Sequence, residues 1–137
     1  MEKFLGKWQL QSKLTENFDA FADKMEIEPE KREIYRNMET VYTFSMDGKT
    51  LVAGMEVKGF KEEVRFELGV PVSYKTFDGA NMTSCITMKD GRFFETHKME
   101  REGKTREWTT ERYIEGDFMV GVQTKDGVSL KSKLKKL

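Results

Sequence analysis

Glu95 and His97 stand two positions apart, and Arg112 follows further along the 137-residue chain. A carboxylate beside an imidazole is a pairing that proton-transfer catalysis uses, and a guanidinium offers an anion a rigid two-pronged fork. In an extended chain the side chains alternate between faces. Glu95 and His97 therefore share a face with Phe93 and Met99, and Arg112 shares one with Trp108, Thr110 and Ile114. Catalysis by Glu95 and His97 near Arg112 would also need reach to a substrate, and the pair comes with no nucleophile. The chain contains no phosphate loop, HExxH, CxxC or GxSxG, so nucleotide, zinc, redox and hydrolase chemistry have no motif behind them. No metal or cofactor is implied.

The chain closes on "SLKSKLKKL", residues 129–137. Such a basic run could be a nuclear address, a membrane-touching helix or a solvated tail. It also fits a final strand, with Leu130, Ser132 and Leu134 turned inward and Lys131, Lys133 and Lys135 outward. Sliding this phase by one would bury two lysines and expose the leucines, which costs both desolvation and lost apolar burial. The strand reading stands.

These residues need elements to hold them. Acid–glycine pairs punctuate the chain at Asp47-Gly48, Asp78-Gly79, Asp90-Gly91, Glu102-Gly103, Glu115-Gly116 and Asp126-Gly127. Such pairs suit tight hairpins, because glycine accepts the positive φ that they require. The intervening segments read as strands at residues 7–12, 41–46, 49–57, 70–76, 82–88, 92–99, 105–114, 118–124 and 128–137. Residues 16–38 have a different period: Phe18, Phe21, Ala22 and Met25 fall on one helical face, with Thr15 as an N-cap. A second helix is predicted from Pro29 to about residue 37, with Ile34 and Met38 inward. The order is one strand, two short helices, then about nine strands. Many short antiparallel strands with nothing to cover a second face predict a closed barrel, and ten strands leave an internal cavity.

Composition narrows the setting. Lys plus Arg and Asp plus Glu number 24 each, which gives no basic bias towards nucleic acid. Charged residues make up 35% of the chain and hydrophobic ones 37%, proportions that suit a thin-walled domain spanning residues 1–137. The opening MEKFLGKWQL lacks the apolar stretch of a signal peptide, and no run approaches a membrane span. Cys85 is the sole cysteine, so a reducing, cytoplasmic location is the simplest context.

At this point the sequence resembles the intracellular lipid-binding proteins, the cytosolic fatty-acid-binding and retinoid-binding family. "GKWQL" (6–10), "ENFDAF" (16–21), "FELG" (66–69) and "IEGD" (114–117) carry the resemblance, which covers essentially the whole chain. The opening and the tail are most similar to liver-type members. The resemblance implies a mainly β fold: a ten-strand antiparallel up-and-down barrel of lipocalin-like, calycin type, with a helix-turn-helix lid at about residues 16–38. It implies a monomeric carrier that holds a long-chain fatty acid or a derivative inside the barrel and has no enzyme activity.

In many members two arginines and a tyrosine meet the lipid carboxylate, the last two as Arg-x-Tyr on the final strand. The resemblance places Arg112 at the first arginine. At the other two positions stand Ser132 and Leu134, so the usual clamp is incomplete. The family pattern also turns Glu95 and His97 inward, and an ionised Glu95 needs a partner, for which Arg112 is the best placed. The expected head-group set is Arg112, Glu95, His97 and Ser132. The expected wall and portal comprise Phe18, Met25, Met38, Met55, Phe60, Phe66, Met82, Ile86, Met88, Phe93, Met99, Thr110, Met119, Leu130 and Leu134. Trp8 by family position packs the closed end.

A near-neutral interior leaves two ligand classes open: a fatty acid held by Arg112 and water, or a neutral lipid such as an acyl amide or a retinoid-like alcohol. A surface-recognition β domain without a cavity is the competing class. The resemblance also suggests that Lys24, Lys31, Arg32 and Arg36 give the lid a basic surface for membrane or nuclear-receptor contact, with nuclear entry as a second location.

Overall fold

A computed structural model of the chain describes residues 1–76 and 79–137. The Asp78 half of the predicted Asp78-Gly79 turn lies outside the described residues. The elements run β1 (Gly6–Leu10), α1 (Phe18–Lys24), α2 (Pro29–Arg36), β2 (Thr40–Asp47), β3 (Thr50–Val57), β4 (Phe60–Glu67), β5 (Val72–Lys75), β6 (Asn81–Lys89), β7 (Arg92–Arg101), β8 (Lys104–Glu115), β9 (Phe118–Lys125) and β10 (Val128–Lys136). The ten strands form one antiparallel sheet in the order β4-β3-β2-β1-β10-β9-β8-β7-β6-β5. This is the expected up-and-down barrel. It is nearly closed, because β4 and β5 lie at its two edges rather than pairing with each other.

Across that seam the wall is completed by other contacts. Phe66 of β4 meets Tyr74 of β5 edge-on, with ring centroids 6.4 Å apart, and the Gly69 amide donates to the Ile86 carbonyl at 2.9 Å. Elsewhere turn chemistry sets the register. Asp90-Gly91, Glu102-Gly103 and Asp126-Gly127 each place both residues at positive φ, the conformation that matches the twist of a two-residue hairpin. The segment 60–67 was not among the predicted strands. Its inward phase reads Phe60, Glu62, Val64, Phe66, and the acid at the second position hides the alternation.

One end of the barrel is solid. Phe4, Trp8, Phe44, Leu51, Phe66, Ile86, Phe93, Met119 and Leu134 form a continuous buried cluster. The Phe4 and Phe93 rings sit 4.3 Å apart, and the Trp8 indole N–H donates to the Phe4 carbonyl at 2.9 Å. Trp8 thus occupies the closed end as expected.

The lid differs from expectation in three respects. Thr15 does not cap α1; Asn17 precedes the helix in a left-handed conformation (φ 65°), and its side-chain amide donates to the Ser129 carbonyl at 2.8 Å. Ile34 does not point inward but is 54% exposed, because α2 is tied to α1 by ion pairs rather than by an apolar stripe. The lid surface is not basic either. Arg32 pairs with Asp23 at 2.7 Å, Arg36 pairs with Asp19 and Glu33, and Lys31 lies 3.9 Å from Glu28. Between residues 16 and 38 seven acids face four bases, and Lys24 alone of those bases lacks an acidic partner among the described residues.

Candidate functional site: a two-lobed barrel cavity

Above the solid end the barrel encloses two adjoining spaces. The upper lobe, of about 680 Å³, lies beneath the lid and is lined by Phe18, Tyr35, Arg36 and Met38 from the lid region and by Leu10, Tyr42, Thr110, Arg112, Gly121, Gln123, Leu130, Ser132 and Leu134 from the wall. The lower lobe, of about 240 Å³, reaches Phe44, Met55, Glu62, Val64, Phe66, Tyr74, Met82, Ile86, Glu95, His97 and Trp108. Tyr42, Thr110, Arg112 and Gln123 belong to both, so they form the waist.

Strand register builds this waist. On β8, Arg112 faces Phe93 of β7 on one side and Gly121 of β9 on the other, and Gly121 in turn faces Ser132 of β10. A side chain at Gly121 would stand 3.3 Å from Ser132 Oγ and 3.5 Å from Arg112 Nη1. Glycine at this position is what gives the guanidinium room. Ser132 donates weakly to the Gly121 carbonyl at 3.4 Å.

Glu95 faces Thr110 on β8, one inward position along from Arg112. Arg112 Nε donates to Glu95 Oε2 at 2.6 Å, and both side chains are buried. Burial alone would raise the Glu95 carboxyl, but the charge of Arg112 and hydrogen bonds from His97 and Arg112 overcome it and hold the group at about 2. Burial likewise works against the charged guanidinium, and Glu95 more than offsets it, so Arg112 is raised. Both groups are ionised.

The second carboxylate oxygen, Oε1, lies 2.9 Å from His97 Nε2. His97 Nδ1 is 2.8 Å from Ser84 Oγ, and Ser84 Oγ is 3.0 Å from the Tyr74 hydroxyl. A hydrogen-bonded line therefore runs Arg112–Glu95–His97–Ser84–Tyr74, from β8 through β7 and β6 to β5. Trp108 stacks on the His97 ring with centroids 5.4 Å apart. Tyr42 and Phe44 flank the Arg112 guanidinium at 5.4 and 5.7 Å from their ring centroids.

Glu95 occupies only the Nε of Arg112, and the terminal Nη groups have no protein acceptor among the described residues. Nη1 lies beside Gly121, and Arg112 borders both lobes. Thr110 Oγ1, also at the waist, is buried without a hydrogen-bond partner among the described residues. Together these groups make a polar ring at the waist of a cavity of mixed polar and apolar lining, suited to an amphiphile with a hydrogen-bonding or anionic head.

No protein-family model matches the chain. Over 139 residues, covering all of both chains, it is 34% identical to a fatty acid-binding protein of Schistosoma japonicum. The chain belongs to the fatty-acid-binding protein family. It is also 30% identical to the intestinal fatty acid-binding protein of Rattus norvegicus over 134 residues, which is 97% of this chain and 98% of that one. The structure of a Schistosoma mansoni fatty acid binding protein in complex with arachidonic acid superposes with a TM-score of 0.82 at 28% identity, covering 100% of this chain and 98% of the other.

Within this fatty-acid-binding protein the sequence-predicted residues separate into groups. Arg112, Ser132, Thr110, Phe18, Met38, Leu130 and Leu134 line the upper lobe, while Glu95, His97, Met55, Phe66, Met82 and Ile86 line the lower one. Phe93 and Met119 do not line the cavity; they are fully buried in the solid end. Met88 packs against that same cluster. Met25 and Met99 are partly buried but border neither lobe. Phe60 is no wall residue, being 60% exposed where β4 begins. Alternation gave these residues the right face without saying at which height the barrel fills. Tyr42, Gln123, Gly121, Ser84 and Tyr74 were not anticipated as site residues. Their signal lay only in inward phase on strands whose depth the sequence leaves open.

Proposed function

We propose that this fatty-acid-binding protein is a carrier whose cargo is a long-chain fatty acid, with its carboxylate on the Nη face of Arg112 and its chain in the upper lobe beneath the lid. The observation that carries this reading is the half-used guanidinium, paired through Nε and open through Nη, at the floor of a cavity of about 680 Å³. That volume falls within the ordinary range for sites enclosing a small molecule. Each methylene buried contributes about 0.8 kcal/mol, so the chain supplies most of the affinity and the head group sets orientation. Thr110, Ser132 and Gln123 are the proposed uncharged head-group contacts, and Tyr42 caps the guanidinium.

Membership of this family makes the chain a binding protein and not an enzyme. The Glu95–His97 pair fits that role, because Arg112 holds Glu95 in its ionised form. No helix among the described residues is long and apolar enough to cross a membrane. We place the protein in the cytoplasm and also the nucleus, with cargo leaving past the lid to a membrane or a nuclear receptor.

The test is a competition series on wild type and Arg112→Gln, using a fatty acid and its primary amide at one chain length. The expected result is a loss of about 2 kcal/mol or more for the acid and little change for the amide. Equal losses would remove Arg112 from the head-group role.

A further inference from the structure

We propose that the protein takes up one proton with each fatty acid, and that the Glu95–His97 pair holds it. This rests on the head-group reading above and adds a second ligand to the same site. Its starting point is a charge balance. Arg112 is already matched by Glu95 at 2.6 Å, so an arriving lipid carboxylate places two anions against one cation in a buried setting. Like charges at such separations repel strongly where water is excluded. A proton on the group that already touches Glu95 restores neutrality, and that group is His97, with Nε2 2.9 Å from Oε1.

The hydrogen-bond line accommodates both protonation states. Ionised Glu95 can only accept, so His97 Nε2 carries a hydrogen and Nδ1 of the neutral ring accepts from Ser84. Ser84 in turn accepts from the Tyr74 hydroxyl. A proton added at Nδ1 reverses this segment: Nδ1 donates to Ser84, and the two hydroxyl hydrogens rotate. Hydroxyls donate and accept equally well, so no heavy atom needs to move.

The placement of the line is a second, independent observation. It begins at Tyr74, on the edge strand of the seam between β4 and β5, and ends at Arg112. The line therefore approaches Arg112 from the lower lobe, while the proposed lipid site is the upper one. Ser84 from β6, Trp108 and Arg112 from β8, and Glu95 on its own strand surround His97, with Tyr42 of β2, Glu62 of β4 and Tyr74 of β5 around the same lobe. Among these, Glu62 and Glu95 favour a positive ring and Arg112 opposes it. A lipid carboxylate on Arg112 offsets that opposition, and imidazole is the side chain that responds near neutrality.

Titration calorimetry at about pH 7.5, repeated in buffers of different ionisation enthalpy, counts the protons. A long-chain fatty acid is expected to bind with uptake of close to one proton, and the alcohol of the same chain with close to none. Affinity for the acid should fall as pH rises, approaching tenfold per pH unit. His97→Gln should weaken binding of the acid more than that of the alcohol, and the acid binding that remains at saturating lipid should lose the uptake. His97 is the sole histidine, so the imidazole resonances of the unmutated protein give a separate reading: addition of the acid should shift them to the protonated form. Saturable binding with no proton taken up, or equal uptake with the alcohol, overturns the proposal. Failure to bind the acid at all would instead overturn the carrier reading.

Discussion

Arg112 serves one partner through Nε and leaves its other nitrogens for a second, so Glu95 acts as both anchor and competitor. Glu95→Gln removes the anchoring charge. The empty variant should lose about 3 kcal/mol of stability, because a buried guanidinium is left unpaired. A fatty acid carboxylate should restore part of that loss, so saturating lipid should raise the melting temperature of the variant more than that of wild type. The pH dependence follows from the same pair. Glu95 lies near 4.5 when unfolded and at about 2 in the fold, so its stabilising contribution is complete above 4.5 and is lost as pH falls towards 2. Denaturant titrations across that interval should be steeper in pH for wild type than for Glu95→Gln. Gly121→Ala tests the space itself: the new methyl meets Ser132 and the guanidinium, and acid binding should weaken by about tenfold with little change in stability. The pairing of Glu95 with Arg112 was legible from alternation, from the family resemblance that turns this face inward, and from the need of a buried charge for a partner. The step from His97 to Ser84 and Tyr74 was not, because it depends on the depth of β6 and β5.

The lid shows where periodicity is a sound guide and where it is not. In α1 the apolar spacing is faithful: Phe21 and Ala22 are buried, and Phe18 lies over the upper lobe. Its start was misread, because a left-handed Asn17 tied to Ser129 replaces an ordinary Thr15 cap. In α2 Ile34 and Tyr35 are the only apolar side chains, too few to define a buried face, and Arg32 and Arg36 hold the helix to α1 instead. Phe18→Asp should therefore speed lipid release by tenfold or so through loss of apolar contact at the mouth, measured by stopped-flow transfer to acceptor vesicles. Release at the wild-type rate would place the way out elsewhere. High salt should loosen the α1–α2 link through screening of exposed pairs, seen as faster amide exchange in α2 than in α1.

For the molecule as a whole, the closed end, the nearly closed wall and the hollow beneath the lid follow from ten strands of alternating phase joined by turns that admit few registers. Acid–glycine pairs made the meander legible, and only the strand carrying Glu62 at an inward position escaped notice. What alternation cannot give is height. Phe93 and Phe66 share inward phase, yet Phe93 fills the solid end while Phe66 also borders the lower lobe. The two tryptophans report on this division: Trp8 is locked into the packed cluster, and Trp108 borders the cavity against His97. The most direct measurement is a crystal structure with a long-chain fatty acid bound. The account predicts the carboxylate at about 3 Å from Arg112 Nη atoms, with the chain rising towards Phe18 and Met38. A carboxylate at the lid with the methyl end against Arg112, or a lipid held outside the barrel, would contradict it.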